Sequence, residues 1–290
     1  MRVLMVGATG RHAHWVLREL TQRGVSVRAL VRNRQRADEA RHNGAAEVAI
    51  GDLTDPATLP DAVSGMDGVF HIGPAHAARE AEMGLAMVDA ARAAGVRKFV
   101  FSGVIHPSIS AMTNHGAAKL PVEEALYGSE LDFTVLQPAR FMQNFERSWH
   151  DIVEHGRLAQ PYSLSVKMCS VDYRDVAEVA AVAMTGDELS YGTFELSAPG
   201  MQDTYQTAEL ISEVLGRTIT AVQIPLEQFA EQLPEGPFRD GMSRMMAHYG
   251  KHGLPGGNSL VLRSILGREP RSMKDYFREL AASWKSVSRE

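Results

Sequence analysis

Cysteine is almost missing from this chain: Cys169 is the only one. An internal disulfide is therefore excluded, which fits a reducing compartment. No apolar run approaches the roughly 20 residues needed to span a bilayer, so no membrane helix is expected. Positive charge is not in excess either. The formal net charge of -5 argues against a general nucleic-acid or anionic-membrane surface. A strand pattern already begins at Arg2. That leaves no room for a signal peptide, and a cytoplasmic location is expected. Repeats and low-complexity segments are absent. His71, His76, His106, His150 and His155 show no metal-ligand spacing, so no metal site is expected.

What is present suits a soluble globular protein. Of 290 residues, 44% are hydrophobic and 22% charged, which is ordinary. The length allows one large domain, or one with a smaller appendage.

The first 140 residues alternate strand and helix patterns. Apolar runs at Val3 to Val6, Val25 to Val31, Glu47 to Ile50, Gly68 to Ile72, Lys98 to Phe101 and Phe133 to Leu136 read as six strands. Between the first two, Ala13, Val16, Leu17 and Leu20 recur at helical spacing and stop before Gly24. A helix is expected around Ala57 to Val63. In another, Ala86, Met87, Ala90, Ala91 and Ala94 line one face up to Gly95. Apolar strands alternating with amphipathic helices imply a parallel sheet covered on both faces. Right-handed crossovers make this a doubly wound Rossmann-type α/β fold.

Beyond about Phe141 the pattern loosens. Helices are expected at Tyr173 to Met184 and Thr204 to Leu215, and strands at Gly192 to Leu196 and Thr218 to Ile224. Two of these elements could extend the sheet. The expected division is a dinucleotide-binding domain over residues 1–150 and a smaller C-terminal α/β substrate-binding region over 151–290, interleaved with the sheet. The Gly-, Pro- and Met-rich stretch at residues 234–258 reads either as a substrate-facing lid or as a surface helix with loose ends.

The stretch VLMVGATGRHAHWVLREL places Gly7, Gly10 and Ala13 between the first strand and its helix. Glycines there let backbone amides approach a diphosphate, and the helix N-terminus adds positive dipole. Alanine at the third place is small enough for helix and strand to pack. Gly7, Thr9, Gly10, Arg11 and His12 are assigned to the cofactor, although the imidazoles of His12 and His14 read as helix-surface groups. The second strand ends ALVRNRQRA. Where NAD-selective folds carry an acid, this chain offers Arg32, Arg34 and Arg36. Guanidinium groups pair bidentately with phosphate, which favours NADP over NAD, with Arg32 foremost.

IGDLTDPATL, LVRNRQRA, FSGV, HGAAKLPVEEAL, FTVLQPARFMQNF, VDYRDVAEVAA and LGREPRSMKDYFREL span nearly the whole chain. Together they resemble the NmrA-like family of atypical short-chain dehydrogenases. The resemblance implies that Asp52 and Leu53 flank the adenine. Ile72, Gly73 and Pro74 would line the middle of the cofactor. Ser102, with Gly103, would lie near the nicotinamide. Pro138, Phe141 and Asn144 would lie beside the nicotinamide and the substrate mouth.

Short-chain dehydrogenases usually carry Tyr-x-x-x-Lys on one helix face. This sequence reads HGAAK, with His115 in the tyrosine's place and Lys119 retained. Lys119 is expected to hold the nicotinamide ribose. His115 could donate a proton near neutrality, or merely shape the pocket. Pro121 should kink this helix or mark its start. Ser102 completes the catalytic candidates. Asp172 and Asp175 read as helix caps, Glu123 and Glu124 as a solvated helix face, and Cys169 as a small buried group.

Three functions fit. The first is an NAD(P)H-dependent oxidoreductase acting on a quinone, enone or aromatic carbonyl. Its flat substrate would be framed by Phe141, Met142, Asn144, Met245, Met246 and Tyr249. The second is a non-catalytic NADP sensor that signals to a protein partner. The third is a secondary-metabolite tailoring step such as aromatic oxygenation, with a histidine such as His115 as base. Neither nucleic acid nor membrane is an expected partner, and a homodimer is left open.

Overall fold

The computed structural model describes residues 1–112 and 116–287. His115 therefore lies outside the described residues. The elements run β1 (Arg2–Val6), α1 (Ala13–Gln22), β2 (Ser26–Val31), α2 (Ala37–His42), β3 (Glu47–Ile50), α3 (Leu59–Val63), β4 (Gly68–His71), α4 (Glu80–Ala93), β5 (Lys98–Ser102), α5 (Leu120–Tyr127) and β6 (Asp132–Pro138). They continue with β7 (Arg140–Phe141), α6 (Trp149–His155), β8 (Arg157–Gln160), β9 (Ser170–Val171), α7 (Tyr173–Thr185), β10 (Gly192–Leu196) and α8 (Thr204–Leu215). The rest is β11 (Thr220–Gln223), α9 (Leu226–Glu231), α10 (Pro237–His252), α11 (Leu260–Leu266) and α12 (Met273–Val287).

The described residues form a seven-stranded sheet in the order β10-β6-β5-β4-β1-β2-β3. The pairs from β6 through to β3 are parallel. This is the doubly wound α/β architecture expected from the alternating pattern. Strand order reverses around β1, whose neighbours are β2 and β4. Ligands of such sheets bind beyond the carboxyl ends of the strands at the reversal. The central strands β4 and β5 are buried along their whole length, as strands covered on both faces must be. Leu4, Val6, Val69, Met87, Val88, Phe99, Phe101 and Val135 share one core cluster. Each such large side chain contributes about 1.5–3 kcal/mol by leaving water.

Local sequence explains the helix boundaries. In α1 the buried residues are Ala13, Val16, Leu17 and Leu20, as their spacing predicts. Gly24 follows with φ +76°, a conformation that glycine takes without strain. In α4 the buried face is Gly84, Met87, Val88 and Ala91. Ala94 is exposed, because the helix ends at Ala93 before Ala94 can complete the expected stripe. Helix α8 begins with a capping box, Asp203 and Gln206 each bonding the other's backbone amide.

The chain divides into two compact units, Met1–Gln137 with Val176–Glu195, and Pro138–Asp175 with Leu196–Glu290. β10 completes the large sheet beside β6. β11 instead pairs in parallel with β8. Within the second unit, Phe145, Trp149, Ile152, Leu158, Ile211, Ile219 and Phe277 make a separate core cluster. Residues 237–252 of the Gly-, Pro- and Met-rich stretch form α10, a sixteen-residue helix that buries Gly241, Met245 and Tyr249. Among the described residues no helix is long and apolar enough to cross a membrane.

Candidate cofactor and active site

The loop from β1 to α1 is shaped for a close backbone approach. Gly7 has φ +83°, and a Cβ there would lie 2.5 Å from Ile72 Cγ2 and 2.9 Å from the Ile72 carbonyl oxygen. Only glycine fits both restrictions. The turn is closed by Gly10 N–H donating to the Gly7 carbonyl at 2.8 Å, and Ala13 N–H to that of Gly10 at 2.9 Å. The amides of Ala8 and Thr9 donate to no acceptor among the described residues. Together with the N-terminus of α1 they can serve a diphosphate.

Beyond β2, Arg32 and Arg34 are exposed and neither meets a carboxylate among the described residues. Arg36 differs: it pairs with Glu39 at 2.5 Å. Asp52 bonds locally. Its carboxylate accepts from the Thr54 amide and hydroxyl, each at 2.8 Å. Those two bonds hold its pKa below the ordinary value, helped by the charge of Arg32. Leu53 is half-buried and packs on the core of the first unit.

A buried polar cluster lies at the carboxyl ends of β4, β5 and β6. His71 ends β4 and Ser102 ends β5. Both are buried, and His71 Nδ1 and Ser102 Oγ have no hydrogen-bond partner among the described residues. Orphaned buried polar atoms are rare and cost about 1–3 kcal/mol each. Burial first, and then the charge of Lys119, push the His71 pKa down to about 3. Its ring is neutral at physiological pH and stacks near Phe99.

Lys119 is 5% exposed and makes a buried ion pair with Glu80, itself 5% exposed. The second oxygen of Glu80 accepts the His76 backbone N–H at 3.1 Å. His76 holds φ +63°, an uncommon conformation for a non-glycine residue. Burial pushes the Glu80 carboxyl above its ordinary pKa, against the pull of Lys119 and the His76 amide. Glu123 is buried too and accepts from Gln137 Nε2 at 3.0 and 3.1 Å. Burial likewise raises its pKa.

Three expectations, those for Lys119, Glu123 and Asp175, are corrected here. Lys119 does not lie on the face of a helix; it stands in a turn at the N-cap of α5. Pro121 marks the start of that helix, because its missing N–H is harmless in the first turn. Glu123 is not on a solvated face, since α5 turns it inward onto β6; Glu124 is exposed. Asp172 caps α7 through the Arg174 amide at 2.9 Å. Asp175 instead accepts the Arg271 amide and pairs with Arg268 and Arg271. The residue that sequence reading missed is Glu80. An acid in a first helical turn reads as an ordinary dipole partner, and nothing local marks it for burial.

The fit to a dinucleotide rests on three features of the first unit. These are the glycine cradle, the exposed Arg32 and Arg34, which meet no carboxylate among the described residues, and the buried Ser102 hydroxyl at the end of β5. Gly7 touches Ile72, and a Cβ on Gly73 would lie against Glu80 and His71. Pro74 is exposed, as are Gly10 and Arg11, while Thr9 and His12 are half-buried. In the second unit, Pro138 is buried and Phe141 is half-buried, edge-on to Tyr173 at 4.8 Å. Asn144 is exposed, and Met142 belongs to the second core cluster. Met245 and Tyr249 are buried along α10. Among the described residues no group of His, Cys, Asp or Glu is arranged to hold a metal.

The NmrA-like family profile matches residues 1–283. The chain belongs to the NmrA-like family. This NmrA-like chain is 30% identical over 287 residues to an NAD(P)H azoreductase of Xenophilus azovorans, covering 97% of this chain and 99% of the relative. Its fold is similar to that of an NADPH-dependent quinone oxidoreductase of Escherichia coli crystallised with NADPH. There the TM-score is 0.82, with 23% identity and coverage of 96% and 99%. It is also similar to NmrA, a negative transcriptional regulator solved with NADP. That match has a TM-score of 0.78, 18% identity and coverage of 99% and 97%.

Proposed function

We propose that this chain is an NADPH-dependent reductase of a quinoid or conjugated aromatic acceptor. The observation that carries this reading is the buried Lys119, paired with Glu80 and close enough to His71, at the end of β4, to lower its pKa. A lysine held there without a catalytic tyrosine suits anchoring of a nicotinamide ribose. When bound, NADPH would supply a hydride to the acceptor. The amides of the Gly7 loop and the N-terminus of α1 hold the diphosphate in this reading. Arg32 and Arg34 hold the 2′-phosphate, and Asp52 and Leu53 border the adenine. Lys119 holds the ribose, and the Ser102 hydroxyl bonds the nicotinamide end. Phe141, Asn144, Met245 and Tyr249 serve the flat substrate. His115 delivers the proton that the reduced acceptor's oxygen requires. Similarity to an azoreductase across the full chain supports an aromatic or conjugated acceptor.

A second reading, a dinucleotide sensor, is favoured by the histidine that replaces the tyrosine and by the likeness of the fold to a regulator solved with NADP. One assay separates the two. The purified chain is mixed with NADPH and a panel of quinones, and the reduced-nicotinamide absorbance is followed. Saturable oxidation is the expected result. Tight NADPH binding with no turnover would replace the reductase by the sensor. Oxygen uptake with an aromatic substrate and no nicotinamide consumption would point to oxygenation.

A further inference from the structure

Arg140 opens β7, directly after the buried Pro138 and Ala139. It is half-buried, and no carboxylate lies within ion-pair distance of it among the described residues. A half-buried guanidinium normally finds an acid, because desolvating a charge is costly. This one meets neutral groups only. Its Nη1 donates to the Tyr162 hydroxyl at 3.0 Å. Its Nη2 and Nε donate to the Ser170 hydroxyl at 3.2 and 3.4 Å. Its central carbon stands 5.2 Å above the Phe145 ring. The ring face offsets part of the desolvation and leaves the charge uncancelled.

The two hydroxyls sharpen the picture. Each accepts from the guanidinium, so its own proton points elsewhere. Neither proton has an acceptor among the described residues. Tyr162 and Ser170 are both buried. The phenol of Tyr249 is also buried, its ring 6.4 Å from that of Tyr162 and within reach of the Arg140 charge. One positive charge and two O–H donors thus lie together with no acceptor among the described residues. That set complements an oxyanion.

We propose that Arg140, Tyr162 and Ser170 form a subsite for a carboxylate or sulfonate carried by the aromatic substrate. Calling the ligand a substrate rests on the reductase reading; the subsite itself does not. The geometry gives the guanidinium two roles, holding the hydroxyls and meeting the anion. A neutral aromatic of the same size would leave those donors unmet.

The test is equilibrium binding, by isothermal titration, of naphthalene-2-sulfonate and of the neutral naphthalene-2-methanol to the full chain. The sulfonate is expected to bind about tenfold to a hundredfold more tightly, as charge-assisted hydrogen bonds allow. Arg140→Met should abolish that preference, and Arg140→Lys should retain part of it. The wild-type comparison stands even if the methionine variant fails to fold. Equal affinity of the two compounds for wild type would overturn the proposal, and so would a preference that persists in Arg140→Met. Binding needs no turnover, so the two readings fail separately. A chain that oxidises no NADPH yet shows the Arg140-dependent preference would lose the reductase reading and keep the subsite. One that turns over quinones without the preference would do the reverse.

Discussion

Glu80→Ala and Lys119→Met break the same ion pair and should not cost the same. Both residues are 5% exposed, so solvent screens neither charge. Removing one partner of a buried pair costs about 3–5 kcal/mol, because the other charge stays behind. Glu80→Ala strands an ammonium in the interior and should approach that figure, a large share of the roughly 5–15 kcal/mol that holds a domain together. Lys119→Met strands a carboxyl that can take up a proton. Burial already pushes the Glu80 pKa above 4.5 while Lys119 pulls it down. Deleting the lysine removes that pull, and the pKa rises further. A carboxyl with a raised folded pKa keeps its proton in the native state after the unfolded chain has lost its own. Its stabilising contribution is greatest below pH 4.5 and declines as pH rises to the folded pKa, by up to about 1.4 kcal/mol per pH unit. Lys119→Met should therefore be nearly tolerated at pH 5 and markedly destabilised at pH 8. Glu80→Ala should be costly at both. The double variant Glu80→Leu with Lys119→Met should be more stable than Glu80→Ala alone. Urea unfolding followed by tryptophan fluorescence at the two pH values measures all four proteins. Equal costs for the single variants, or a Lys119→Met cost that ignores pH, would refute the reasoning.

Three further outcomes are expected. Gly7→Ala combines φ +83° with a Cβ 2.5 Å from Ile72 Cγ2. It should lower stability by about 1–3 kcal/mol and weaken NADPH binding, read by thermal melting and calorimetry; wild-type affinity in the variant would remove this loop from the cofactor site. Arg32→Ala should reduce the preference for NADPH over NADH by about tenfold, a modest figure because the side chain is exposed, and an unchanged ratio of the two dissociation constants would contradict that role. His71 is neutral when folded, with a pKa near 3 against an ordinary 6.5. As pH falls from 6.5 towards 3 the unfolded chain gains a proton the native one refuses, so stability drops; His71→Phe should flatten that part of the acid-unfolding profile, and a profile of unaltered slope would show that His71 is charged in the native state.

Much of this fold was legible because its signals are local. The apolar runs became β1 to β6 with ends shifted by a residue or two, since strand ends depend on pairing partners that no single segment reveals. Thr204 to Leu215 was readable because its spacing and its Asp203–Gln206 cap agree. The diphosphate loop was readable because Gly7 must be glycine for a backbone reason. The site's interior was less so. Glu80 and Lys119 stand 39 residues apart, and neither carries a mark of burial in its own neighbourhood. Glu123 misled for a related reason, since Gln137, the partner that draws it inward, comes from a different element. Arg140 went unremarked because the missing counter-charge is a property of three-dimensional surroundings.

The edge strand β10 has a consequence for how the protein is made. Its partner β6 is synthesised more than fifty residues earlier. A nascent chain that has emerged only as far as residue 150 has one side of β6 unpaired, an open flank that invites association with other chains. The amino-terminal half is thus no autonomous module in the topological sense. It depends for closure on a segment delivered after the first portion of its companion unit has left the ribosome.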